Sequence, residues 1–269
     1  MKAIPVVVLV LAVSGAPLFA ADRPPAADLQ GRVSALLARF PAETPAKRDA
    51  LCAEILGLGP AAVAEVCARV LPAGKGADSR VRFAVNGLAV HVTRPGAETE
   101  RALLARALLD SLARTRDKTV AAFFLSQVQL VGKQESVRPV EKFLVDETLA
   151  GPATAVLLAI GGPQGTAAML KALDRAPGSA RLALVQALGE ARSREAVKRI
   201  LPLAESADEG LRQAALFALA NIGDPAAGPV LSRSRVTASR RERAAAPALY
   251  LLYARRLVEA GRKAEGLRA

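Results

Sequence analysis

The chain has 269 residues and a formal charge of +12; 52% of it is hydrophobic, aromatics are 3%, and tryptophan is absent. That mixture, dominated by alanine and leucine, suits close-packed helices, and no useful length alternates in the Val, Ile, Thr and aromatic pattern of strands. One histidine and two cysteines leave no set for a His-rich metal site and speak against Ser-His-Asp catalysis.

Residues 1–21 read as a secretory signal peptide: Lys2, a short apolar core from Ala3 to Val13, then small residues up to a cleavage point after Ala20 or Ala21. The apolar run is too short for a spanning helix with that flank. An uncleaved anchor is the alternative, and a lipid anchor is excluded because no cysteine lies near Ala20. The mature chain is thus expected in the periplasm or outside the cell. Residues 22–27, rich in Pro and Ala, read as a linker.

From Asp28 the spacing of Leu29, Val33, Leu36, Leu37 and Phe40 predicts a helix over 28–40. A helical hairpin follows, about 45–58 and 60–72, with its corner at Gly59-Pro60. Cys52 lies seven residues before Gly59 and Cys67 seven after Pro60. In an antiparallel hairpin with axes ~8–10 Å apart, the two sulfurs come to one height, and an oxidising compartment permits a disulfide. Two buried thiols acting as small apolar residues are the equal alternative. Either way the pair is structural, since neither a CxxC motif nor a nearby histidine accompanies it. The next pair is about 78–93 and 97–114, split by Arg94-Pro95-Gly96.

Beyond it the chain repeats. Val128, Leu157, Leu188 and Leu219 fall in step at spacings of 29, 31 and 31; so do Val131, Ile160, Ala191 and Ile222, and Val140, Met169, Ile200 and Leu231. All twelve are apolar. Each unit is an apolar helix, a break and a second apolar helix. The breaks are Gly132-Lys133, Gly161-Gly162-Pro163, Arg192-Ser193 and Gly223-Asp224-Pro225. Glycine there ends one helix in the left-handed region, proline opens the next, and Asp224 suits an N-cap. A fixed period of this size marks a solenoid.

The segment 212–231, with Arg212, Ala214, Ala215, Leu216, Ala218, Leu219, Ile222, Gly223, Asp224, Pro225, Ala226, Pro229 and Leu231, resembles the HEAT family in its short bacterial form, also called PBS-lyase HEAT-like. Leu188, Gly189, Glu190, Glu195, Ala196 and Val197 carry the resemblance one unit earlier, and Ile160, Gly161 and Pro163 one before that. It is strong over 147–231, fair over 117–146 and weaker upstream, where Leu56 to Val63 looks like a shortened break. The fold expected is all-α: a right-handed α-solenoid of stacked antiparallel helix pairs, about 6–7 of them, over 28–235. The resemblance is specific for fold and almost silent on activity.

Ser232 to Ser239 is polar and reads as a loop. The last segment, 236–269, places Leu249, Leu252, Tyr253, Leu257 and Ala260 on one helical face; the Ala-Gly-Arg and Ala-Glu-x-Leu that follow look like the middle of a tetratricopeptide unit. A solenoid ends in a polar cap, so Leu267-Arg268-Ala269 reads as a break inside a second helix, and the chain as the front of a larger protein.

Charge is uneven. From Arg233 to Ala269 there are ten Lys/Arg against three Glu. Arg138, Lys142, Lys171, Lys198 and Arg233 recur on the second helices, which in HEAT-like proteins line the concave face. They form either a basic stripe for a partner or solvated side chains with packed stems. A protein partner is the first expectation, then an anionic surface or polysaccharide; nucleic acid is the least expected, with only Tyr250 and Tyr253 to stack bases.

No cofactor, metal or catalytic set emerges. His91 sits in a helix between Val90 and Val92 with no ligand at suitable spacing. Gly161-Gly162-Pro163-Gln164-Gly165 superficially resembles a phosphate loop but follows a helix and lacks Gly-Lys-Ser/Thr. Asp146-Glu147 and Asp208-Glu209 stand at helix starts, where acidic residues favour the dipole. The leading reading is a non-catalytic, exported interaction scaffold. The alternatives are an accessory region of a larger secreted, carbohydrate-active enzyme and a bilin-lyase-like enzyme, which export and the missing acid–base set disfavour.

Overall fold

The computed structural model describes residues 26–237 and 240–268. The expected signal peptide, its cleavage point and most of the linker lie outside the described residues. The described part is all-α, without strands. In chain order the helices are α1 (Ala26–Leu37), α2 (Pro45–Gly57), α3 (Pro60–Ala68), α4 (Ser79–His91), α5 (Glu98–Arg114), α6 (Lys118–Val131), α7 (Val137–Glu141), α8 (Ala150–Ile160), α9 (Gly162–Leu173), α10 (Gly178–Glu190), α11 (Val197–Ile200), α12 (Glu209–Ile222), α13 (Gly228–Thr237), α14 (Arg240–Glu259) and α15 (Lys263–Gly266). Short 3-10 turns lead into α7, α11 and α13.

Successive helices alternate between two rows. In the A row α2 packs on α4, and the chain of contacts continues through α6, α8, α10 and α12 to α14. In the B row α1 packs on α3, α3 on α5 and α7 on α9. Seven A/B pairs thus follow α1, which lies against α2, α3 and α4. This is the expected α-solenoid, and its core is continuous from Val33 to Leu257.

Local sequence explains the boundaries. Thr44 caps α2, its side chain accepting from the Lys47 N–H, with Pro45 in the first turn. Asp117 caps α6 through the N–H groups of Thr119 and Val120, at 2.9 and 3.0 Å. Asp208 caps α12 through Leu211 at 3.0 Å, and Asp224 accepts from Ala226 at 2.9 Å, as expected of it. Two of the three apolar tracks are wholly buried: Val128, Leu157, Leu188 and Leu219, and Val140, Met169, Ile200 and Leu231. The third keeps Val131 and Ile222 buried, leaves Ile160 half-buried and loses Ala191, which is exposed at a helix end.

The breaks differ from expectation in two places. Gly223 takes the left-handed conformation at φ 68° and ψ 37°. Gly132 does not, at φ −66°; and in the third break a non-glycine residue, Arg192, holds φ 51°.

Other boundaries move as well. The first helix starts at Ala26, inside the expected linker, and ends at Leu37, leaving Phe40 buried beyond its turn. The loop expected from Ser232 is helix through Thr237. The segment from Ser232 to Thr237 holds neither Gly nor Pro, and Ser234 returns its hydroxyl to the Leu231 carbonyl at 2.7 Å. Among the described residues no single helix is long and apolar enough to cross a membrane.

The cysteine corner is not the antiparallel hairpin that the spacing suggested. α2 and α3 turn through 114° at their break. Cys52 faces α4, where a Cβ built on Gly87 would lie 3.3 Å from its sulfur. Both cysteines stand as free thiols, 0% and 1% exposed. Burial pushes both thiols up to about 12, which leaves them protonated and inert at neutral pH. The native protein will therefore fail to react with a thiol reagent at pH 8, and two thiols will titrate after denaturation without reductant. A disulfide would leave none in either state.

Candidate functional site

The five basic residues expected to form a stripe are all exposed, but the structure unites only some of them. Arg138 on α7 and Lys171 on α9 line one groove between these B-row helices, with Gln134, Glu141 and Gln164; its volume is about 440 Å³. Lys198 stands exposed on α11. Among the described residues Arg138, Lys171 and Lys198 make no ion pair or hydrogen bond. Lys142 lies over the Phe143 ring, 4.9 Å from its centroid. Arg233 reaches Glu205 at 2.9 Å. Arg138, Lys171 and Lys198 thus lack ion-pair partners among the described residues, while Lys142 has its ring and Arg233 its carboxylate, and only Arg138 and Lys171 share a groove.

A larger cleft was not foreseen. It occupies about 630 Å³ between the start of α9 and the turn leading into α11. α9 runs twelve residues from Gly162 and packs on α7, α8 and α10; α11 has four residues and is followed by a 3-10 turn over Leu201–Glu205 that holds Pro202. Leu157, Leu158 and Met169 give the cleft an apolar floor; Glu190, Arg194 and Glu195 bring charge to one wall, and Gly161 to Pro163 form the other. Ser193 also lines it, is 7% exposed, and its hydroxyl has no hydrogen-bond partner. Glycine and proline at 161–163 were legible only as a turn, and nothing in the spacing placed Glu190 and Glu195 across from them.

His91 offers no chemistry of its own. Its side chain is 9% exposed, Nδ1 lies 3.6 Å from an Asp49 oxygen, beyond a hydrogen bond, and Nε2 is buried without a partner. The Arg48 guanidinium hydrogen-bonded to Asp49 holds that carboxyl below its usual range. Asp146 at the start of the α8 unit is likewise held down, first by Lys118 at 2.8 Å and then by the N–H groups of Thr148 and Leu149. The acidic pair read as a helix-start feature lies instead in the turn before α8, whose first turn holds no acidic residue; Asp146 accepts from that turn's N–H groups. Among the described residues no three His, Cys, Asp or Glu side chains gather as a metal site would require.

Residues 166–250 match the family described as HEAT repeats. The match extends past α13 into α14, so part of the segment set apart as tetratricopeptide-like falls within it. No curated protein matches the chain. Among solved structures, human deoxyhypusine hydroxylase in complex with glycerol is similar at 16% identity and a TM-score of 0.34, over 84% of this chain and 97% of that one. A likeness that loose carries no argument here.

Proposed function

We propose that this chain of HEAT repeats is a non-catalytic scaffold, exported from the cytoplasm, whose B-row face takes an acidic segment of a partner protein. One observation carries the reading: Arg138, Lys171 and Lys198 stand exposed and unneutralised on three consecutive B-row helices, and the first two share a groove. A chain with a formal charge of +12 attracts acidic partners from a distance, and a groove in which two cations and two amide side chains outweigh the one carboxylate, Glu141, gives carboxylates a place to bind. Export rests on the pattern of residues 1–21.

The test is charge reversal of Arg138, Lys171 and Lys198 to glutamate. Binding of a Glu/Asp-rich peptide, read by fluorescence anisotropy, will weaken at least tenfold, and wild-type binding will weaken steeply between about 50 and 200 mM salt. Equal affinity of the triple variant would overturn the proposal. Fractionation and N-terminal sequencing of the protein from its own cells test export: a mature start at Ala21 or Asp22 is expected, and a cytoplasmic chain beginning at Met1 would refute it.

A further inference from the structure

The cleft between α9 and α11 lies on a different face of α9 from the basic groove, and its chemistry differs. Gly162, Pro163, Thr166 and Met169 face the cleft, whereas Gln164, Ala167, Ala168 and Lys171 face the groove. Three kinds of group meet in the cleft. The start of α9 carries no side-chain cap, so its first-turn N–H groups and positive dipole end favour an anion, and Arg194 adds a full positive charge. Glu190 and Glu195 form no ion pair among the described residues and favour a cation. Between them lies the apolar floor.

Ser193 is the independent sign that the cleft is unfinished. It occupies the position that Asp224 holds one unit later, directly before a 3-10 turn. Asp224 caps its turn through Ala226. Ser193 makes no cap bond, and its hydroxyl is buried with no partner at all. A buried hydroxyl in a native protein is nearly always satisfied, by protein, water or ligand.

We propose that this cleft binds the zwitterionic main chain of an α-amino acid with an apolar side chain. The carboxylate sits at the α9 N-terminus with Arg194, the ammonium between Glu190 and Glu195, the side chain on Leu157 and Met169, and Ser193 hydrogen-bonds the ligand. The charged groups lining the cleft and Ser193 then have a use, and about 630 Å³ is within the usual range for a small-molecule site. The same chemistry belongs to a free amino acid and to a very short peptide.

The test is calorimetric titration of the protein at millimolar ligand with L-leucine, leucyl-leucine, leucinamide and N-acetyl-leucine. Saturable binding of leucine or leucyl-leucine is expected, with at least tenfold loss in the amide and in the N-acetyl compound. Whichever of the first two binds tighter identifies the source as free amino acid or peptide. Ser193→Ala removes an unsatisfied hydroxyl, so it should fold with unchanged or raised melting temperature while weakening the ligand about fivefold; Glu190→Gln with Glu195→Gln should weaken it more than tenfold. No saturable binding, or equal binding of all four compounds, would overturn the proposal. So would full affinity in both well-folded variants.

Discussion

Replacing Gly189 by valine will lower the melting temperature by about 5–10 °C and loosen the middle of the array. A Cβ on Gly189 would lie 2.5 Å from the Ala218 Cβ and 2.6 Å from the Ala218 Cα. α10 and α12 therefore meet backbone to backbone at this point, and a side chain forces the A row apart. Overpacking of a well-packed core destabilises by about 1–3 kcal/mol and sometimes more, and for a protein of this size each kcal/mol shifts melting by about 2–4 °C. The clash involves main chain as well as side chain, so Ala218→Gly will rescue Gly189→Ala only in part. Thermal unfolding followed by circular dichroism measures both. An unchanged melting curve for Gly189→Val would refute the close contact.

Asn221→Leu will detach the last unit before the others unfold. Asn221 is 9% exposed and joins three units: its amide donates to the Gly189 carbonyl at 2.9 Å, and its oxygen accepts from Arg256 Nε and Nη2 at 3.0 and 2.8 Å. Arg256, whose side chain is 14% exposed, keeps only Glu259 when Asn221 is lost. A charged group left short of hydrogen bonds in that setting costs about 2–3 kcal/mol. Stability in a stacked array is set unit by unit and between neighbours, so the loss will fall on α14 and α15. Hydrogen exchange should show those helices losing protection while α4 to α10 keep theirs. The double variant Asn221→Leu with Arg256→Met should recover part of the stability, because it removes both halves of the mismatch. Uniform loss of protection would contradict this account.

Much of the array was legible because its apolar positions recur at nearly fixed spacing and mark buried faces. Leu188 and Leu219 could be followed from unit to unit, and Asp224-Pro225 told where a helix must start. Arg192 was not legible as a left-handed residue, since the pattern there asks for glycine, whereas here the turn is closed by the Arg192 and Ser193 N–H groups donating to the Gly189 and Leu188 carbonyls. The bend at the cysteine corner escaped for a similar reason: spacing gives height along a helix but not the angle between two helices. Of the candidate residues, Arg138 and Lys171 were noticed because basic residues recur on the second helices, in two registers one turn apart; that the two line one groove came from the structure. The cleft brings residues 157–169 against residues 190–195, two neighbouring units whose facing surfaces no local spacing relates. The bond between Asn221 and Arg256 crosses 35 positions and leaves no trace in local pattern.

The A row also bears on how the chain is made. Each of its helices packs on the next but one in sequence, so contacts that define the fold are close along the chain, a topology associated with rapid folding. A unit can be completed as soon as the following A-row helix leaves the ribosome, without waiting for the C-terminus. Assembly can then keep pace with synthesis, each finished unit giving the next a surface on which to settle.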